Sequence, residues 1–585
     1  MIFLNLIHSF FKKKKWLVMS YFLVTIIDSL IALFAVLTLV PVIQFMTSEK
    51  SDESIATLNY YFDLLRYLGI EFNLINSLVI FLIMTVISSI SSVILFYITR
   101  INGYAIVYEL RSWAIYKFYG QGLAFINGYS FGIMQNTFER EVDKVGDAIH
   151  SVLQLVSATI FTLLMISFSI SLSSQMTIII IVSFVFTAFL LSLIGNKISA
   201  LSFITVNSAN ILSSKLYGPM LNAKNVLSFA REKWAYDEHK KAFKNHARAA
   251  INSQTLAFVL PEFFKTSSVL IAVMSLFYSL SSGESLALLL ATLAVFMRML
   301  PKISNFSESY AMIKEAMPSV IQYDKLFPKT ATSQTNSLNK RIGGLVSSII
   351  LENISFSYET RKNVLQDINI EIKKNSFVTF VGQSGSGKTT CADVIMGLYS
   401  PTSGSVLIDG CSLDEIDLIS YLDKIGYVQQ DSVLLDGSVK ENLLWANPQA
   451  SEEDMWKSLE LVSIDEFIKS LPNQLDALVG ERGVSISGGQ KQRIALALAL
   501  VRNPDILILD EVTSALDQES EKIIRHSLNS LSNKLTIISV THRPSMAQHS
   551  DMIYVFDKGS VVESGNYKSL IEKKGIFLNL MSGDS

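Results

Sequence analysis

Three stretches of this chain carry residue types at spacings that handle phosphate. "GQSGSGKTT" sets Gly382, Gly387, Lys388 and Thr389 at the intervals of a phosphate loop. In such a loop, glycines let backbone N–H groups wrap phosphate oxygens. A lysine reaches the β- and γ-phosphates, and a hydroxyl ligates Mg²⁺. Gly382, Ser384, Gly385, Ser386, Gly387, Lys388, Thr389 and Thr390 are therefore candidates for ATP binding, with Thr389 also a metal ligand. "DILILDE" is an apolar run ending in two acids. Asp510 is placed to hold Mg²⁺ through water and Glu511 to polarise the attacking water. "SISGGQKQR" sets Ser487, Gly488, Gly489 and Gln490 at the start of a helical run. Free N–H groups and the helix dipole favour an anion there. A complete phosphate loop already stands upstream, so the second stretch raises the question of whose phosphate it holds.

The surrounding sequence supplies the elements these residues need. The strand-like "SFVTFV" leads into the phosphate loop and the helical "TTCADVIMGLY" leads out of it, which is the context the loop requires. Short β-rich runs such as "GLVSSIILENISFSY" alternate with helical segments, an α/β pattern. A polar linker at 333–340 precedes them. The first half differs. Apolar runs at 16–46, 74–99, 149–172, 176–194, 256–280 and 286–300 approach or exceed the roughly 20 residues of a membrane span, so six transmembrane helices are expected. The 585-residue chain is 50% hydrophobic and 17% charged, against about 25% charged in ordinary soluble domains. A net charge of −2 gives no basis for nucleic-acid binding. Cys391 and Cys411 are too few for a disulfide framework and are expected as free thiols. Alternate connections are basic: five Lys/Arg fall in 100–144 and nine in 197–248, while the connection after the first run has Lys50 and Arg66 among five acids. By the positive-inside rule both termini and the second half face the cytoplasm. The two basic connections read as helices that extend the spans into the cytoplasm and turn there.

"SISGGQKQR" resembles the signature of the ABC transporter ATPases, with Ile486 where Leu is usual. Other motifs of that family follow in order. The resemblance implies that Tyr358 stacks on adenine and that Gln430 senses Mg²⁺, although Gln429 stands where Pro is usual. "GERG" at 480–483 resembles an exporter-specific loop. "SALD" at 514–517, with Asp517, resembles the loop linking two ATP sites, and His542 looks like the switch histidine on the γ-phosphate. In this family the signature serine and glycines bind the γ-phosphate held by another nucleotide domain. One chain has one such domain, so a homodimer with composite ATP sites is implied. The expected fold is a membrane α-helical domain of ABC exporter type at 1–325, a linker at 326–345, and an α/β P-loop ATPase domain at 346–585.

The membrane half is similar to bacterial flippases of lipid-linked oligosaccharides around Asp28 and "LTLVPVIQFM", at "ERE", and at "FMRMLPKISNFSESY". That implies an ATP-driven exporter in a bacterial inner membrane, moving an amphiphilic or lipid-linked cargo outward. A peptide or drug exporter is the alternative. A non-transport ABC ATPase or channel is a more remote one. Charges inside spans are costly in lipid, which makes Asp28, Glu262, Lys265 and Arg298 candidates for cargo contact. Glu262 and Lys265, three residues apart, also suit a structural ion pair. Arg298 could snorkel to the interface or meet a pyrophosphate.

Overall fold

The computed structural model describes residues 2–39, 42–43, 67, 73–172, 174–281, 286–328, 340–358, 363–480, 486–512, 518–532 and 534–582. Two units emerge, Met1–Tyr119 with Asn127–Ala331, and Gly120–Ile126 with Thr332–Ser585.

The first unit is helical. A short helix, Ile2–Lys13, precedes Lys15–Leu37. Leu74–Gly120, Val142–Leu172, Ser174–Leu221, Glu232–Ser281 and Leu286–Leu326 follow, three of them 47, 48 and 50 residues long. At 1.5 Å per residue the longest reach about 70 Å, well past a hydrocarbon core of about 30 Å. The expected cytoplasmic extensions are therefore continuous with the apolar runs. They turn through the short helices Gly122–Asn127 and Ala223–Ser228. Among the described residues three stretches are long and apolar enough to span a membrane: Lys15–Leu37, Leu74–Gly120 and Phe131–Ile170. The six-span expectation is met to that extent. Its other three runs fall on Ser174–Leu221, Glu232–Ser281 and Leu286–Leu326, in each of which only part of the side chains is described. Pro219, Pro261, Pro301 and Pro318 lie inside these helices. The apolar core here gathers Val36, Phe161, Met165, Ile198, Phe296 and Met299.

The second unit is the expected α/β fold. Its main sheet runs Ser560–Gly565, Met552–Asp557, Phe377–Gly382, Thr536–Thr541, Ile506–Asp510, Ile425–Val428 in spatial order. The neighbours from Met552–Asp557 to Ile425–Val428 are parallel. Phe377–Gly382, Thr536–Thr541 and Ile506–Asp510 are buried at every position, which explains why they are largely apolar runs without strict alternation of apolar and polar residues. A second, antiparallel sheet orders Leu365–Lys373, Ser348–Phe356, Ser403–Ile408 and Cys411–Ser412. The segment Gly120–Ile126, assigned by sequence to the membrane domain, belongs to this unit because Leu123 packs against its apolar core. Cys391 and Cys411 are both free.

Candidate functional site

The parallel register brings the carboxyl ends of four strands to one edge of the sheet. Val381 pairs with Thr541, Val540 with Asp510, and Val428 with Leu509. The residues just past those ends are the phosphate loop, Asp510 and Glu511, His542, and Gln430. Parallel α/β sheets bind ligands at this edge.

Lys388 opens the helix Lys388–Ile395 and is buried. Its Nζ donates to Gly382 O and Gln383 O, both at 2.9 Å, so the ammonium is held against the loop it serves. Burial pulls its pKa below the usual lysine value, and the carboxylates of Glu511 and Asp510 act the other way. Gly387 has φ +105, and a Cβ there would meet Leu365 Cδ2 at 2.8 Å and Val364 O at 2.9 Å. Only glycine suits both constraints. Ser386 Oγ is buried without a hydrogen-bond partner among the described residues. An orphaned hydroxyl and a glycine-lined cradle are what a phosphate oxygen needs. Beside the loop a cavity of about 320 Å³ is lined by Ser384, Gly385, Ser386, Asn363 and Lys558, among others.

The hydroxyl of Thr389 donates to Asp510 Oδ1 at 3.0 Å. Burial and the neighbouring Glu511 raise the Asp510 pKa. Hydroxyl, carboxylate and amide oxygens form the hard donor set that Mg²⁺ takes, and the exposed Gln430 stands just past the end of the third strand over from the loop strand. Glu511 occupies the left-handed region with φ 48, and its backbone N–H donates to Val540 O at 2.9 Å. Its Oε2 lies 3.2 Å from His542 Nδ1. His542 therefore stands beside the proposed base. Tyr358 hydroxyl is 3.1 Å from Thr390 Oγ1, and its ring meets Tyr399 edge-on at 5.4 Å, which leaves it at the helix that bears the loop.

Ser487 caps the helix Gly488–Leu500. Its Oγ accepts from Gln490 N at 3.2 Å, and Gln490 Oε1 accepts from Ser487 N at 2.9 Å. Ser487 and Gly488 are exposed, and nothing lies within 4 Å of a Cβ built on Gly488. Asp517, the "SALD" stretch and 481–483 lie outside the described residues.

In the membrane unit Asp28 is buried. It accepts from Ser92 Oγ at 3.2 Å, with Lys302 Nζ 3.9 Å from its other oxygen. Arg298 Nη2 donates to Ser88 Oγ at 2.6 Å. Glu262 and Lys265 pair with each other at 2.5 Å on an exposed face. Lys302 escaped the sequence reading because it lies just beyond the last apolar run. Its place one helical turn after Arg298 is the signal that marks it.

Comparison with known proteins agrees with both units. Residues 365–514 match the ABC transporter family model, and 18–300 match the ABC transporter transmembrane region. The heterocyst differentiation ATP-binding protein HepA of Nostoc sp. strain PCC 7120 is 30% identical over 448 residues, 76% of this chain and 73% of that protein. The leptomycin B resistance protein pmd1 of Schizosaccharomyces pombe is 39% identical over 281 residues, 47% of this chain and 20% of its own length. Against other curated relatives the chain spans about half of their length or less. A bacterial Atm1-family ABC exporter solved with ATP bound superposes with a TM-score of 0.83 over 98% of both chains at 21% identity, a likeness of fold. A transmembrane region followed by a P-loop ATPase domain, in a chain aligned with HepA over most of its length, makes this protein a member of the ABC transporter family.

Proposed function

We propose that the chain is an ATP-driven exporter that works as a homodimer with six membrane spans per chain and the ATPase domains in the cytoplasm. One observation carries this reading. Lys388, Thr389, Asp510, Glu511 and His542 gather at one sheet edge, while the start of the Ser487 helix, with Ser487 and Gly488 exposed and Gly489 buried, stands in the same domain. That is one phosphate cradle and one unused phosphate cap per chain. Two chains arranged head to tail would complete two ATP sites and give the second stretch its phosphate.

In each site, Lys388 and the loop N–H groups would hold the β- and γ-phosphates. Thr389, Gln430 and, through water, Asp510 would hold Mg²⁺, which neutralises charge developing on the phosphates. Glu511 would take a proton from the attacking water, and His542 would leave its present partner to steady the γ-phosphate. Ser487, Gly488 and Gly489 would close from the other chain. ATP's preference for the closed pair shifts the membrane domain toward an outward-open state, and hydrolysis resets it.

The cargo we assign is an amphiphile. The pmd1 relative's name is one of drug resistance, which favours a drug or peptide over the lipid-linked oligosaccharide that the membrane half suggested. The test is ATPase activity of the protein in lipid vesicles, screened against glycolipids, peptides and amphiphilic drugs. Stimulation by drugs or peptides supports this assignment, and stimulation confined to glycolipids returns it to the flippase reading. No response to any amphiphile, with none moved across the vesicle membrane, refutes export.

A further inference from the structure

The membrane unit holds a cavity of mixed apolar and polar lining that the ATP cycle does not use. It measures about 190 Å³, and four helices supply the polar part of its wall: Tyr21, Thr99, Gln154, Lys302 and Asn305 among them. The Lys302 ammonium lies 3.9 Å from Asp28, the outer limit of an ion pair, and 5.3 Å from the centre of the Phe161 ring. Asp28 is buried and is not among the residues of the wall, so the charged side chain that lines the cavity is the cation. The carbonyl of Gln154 accepts from Ser309 Oγ at 3.5 Å, which leaves its NH₂ group for the cavity. Asn305 adds a second primary amide. Arg298, one turn away, donates to Ser88 and does not line the cavity. The hydroxyls of Thr99, Ser92 and Ser157 donate to Leu95 O, Asp28 and Thr25, so the wall offers the two primary amides and one cation.

We propose that this cavity receives the anionic head of an amphiphile, with Lys302 as its counter-charge and Asp28 holding Lys302 when no anion is bound. The proposal rests on the export reading and narrows its cargo to amphiphiles that carry a phosphate, sulfate or carboxylate. A lone ammonium in a membrane span is costly, so a carboxylate partner is needed when the cavity is empty. At 3.9 Å that partner is loose enough for an entering anion to make the shorter, hydrogen-bonded contact. Tyr21 stands about 9 Å along its helix from the basic residue Lys15, so the cavity opens near the end of the span where charged heads reside.

Equilibrium binding to the full-length protein in phosphatidylcholine nanodiscs tests it. The probe is dodecyl phosphate, with dodecyl maltoside and dodecyltrimethylammonium as its uncharged and cationic counterparts. Wild type should bind dodecyl phosphate saturably and in preference to both. Lys302→Gln should weaken that binding about tenfold or more and leave dodecyl maltoside unaffected. Asp28→Asn removes the competing carboxylate and should tighten dodecyl phosphate binding, an effect that a merely structural role would not produce. The Asp28→Asn/Lys302→Gln double variant leaves no unpaired charge to disturb folding and should remain as weak as Lys302→Gln. Absence of saturable binding, a preference for the cationic probe, or undiminished binding in the double variant overturns the proposal. ATP-driven movement of amphiphiles together with Lys302-independent binding would refute the site and leave export standing. Lys302-dependent binding with no ATP-driven movement would do the reverse.

Discussion

Glu511→Gln should stop turnover without stopping ATP binding. Glutamine keeps the volume of the side chain, and the substitution leaves the φ 48 backbone and the N–H bond to Val540 O in place. The contacts that would hold nucleotide do not involve Glu511: Lys388 bonds to Gly382 O and Gln383 O, and Thr389 bonds to Asp510. An amide oxygen can still face His542 at the present 3.2 Å. What disappears is the capacity to accept a proton from water. General-base catalysis is worth about 10² to 10⁴ in rate, or about 3–5 kcal/mol of barrier. The change also removes one of the two carboxylates that favour the charged form of Lys388, but Asp510 remains. Phosphate release by the purified protein in lipid should fall at least about a hundredfold. Retention of labelled ATP should persist or rise. Turnover within about tenfold of wild type would remove Glu511 from the role of base.

Three further substitutions probe the same unit. Gly387→Ala forces a Cβ against Val364 O and Leu365 at φ +105, a strain of about 1–3 kcal/mol, and should lower ATP affinity measured by equilibrium binding; unchanged affinity would refute the strain. Thr389→Val deletes the hydroxyl that meets Asp510 and should raise the Mg²⁺ concentration for half-maximal ATPase about tenfold or more, whereas an unchanged Mg²⁺ requirement would exclude Thr389 as a ligand. The Asp393 carboxyl is pushed up to about 7, first by burial and then by Asp510, so its folded form binds a proton more tightly than the unfolded chain does. Wild-type stability therefore falls as pH rises from the ordinary aspartate range to about 7, and Asp393→Asn should raise the melting temperature of the nucleotide-free protein more at pH 8 than at pH 5. Equal gains at the two pH values would contradict that cause.

The ATP half was legible because its chemistry is written in contiguous residues. A phosphate loop is a run of glycines closed by Lys388 and Thr389, and its strand and helix flank it in sequence. The pairings across the site were not legible. Thr389 meets Asp510, and His542 meets Glu511, only because parallel strands distant in sequence end at the same edge. The membrane half was read from hydropathy, which finds spans but not partners. It singled out Arg298 and missed Lys302, since a cation past Pro301 falls outside the apolar run although the helix continues through it to Leu326. Composition also assigned Gly120–Ile126 to the membrane domain, whereas packing of Leu123 decides its unit. The five-residue π-helical turn Thr137–Glu141, which covers "ERE", leaves no periodic trace in sequence, and its buried Glu141 accepts a hydrogen bond from the distant Ser319.

The central claim is that each ATP site is built from two chains, and a mixed dimer tests it most directly. A Lys388→Ala chain and a Ser487→Arg chain, carrying different tags, are co-expressed and purified through both tags. One site of such a pair then carries both defects and the other carries neither. The mixed dimer should trap ATP at one of its two sites, while each variant alone traps none. Failure of the mixed dimer to recover any trapped ATP, or closure of either variant on ATP as a monomer, would contradict the account.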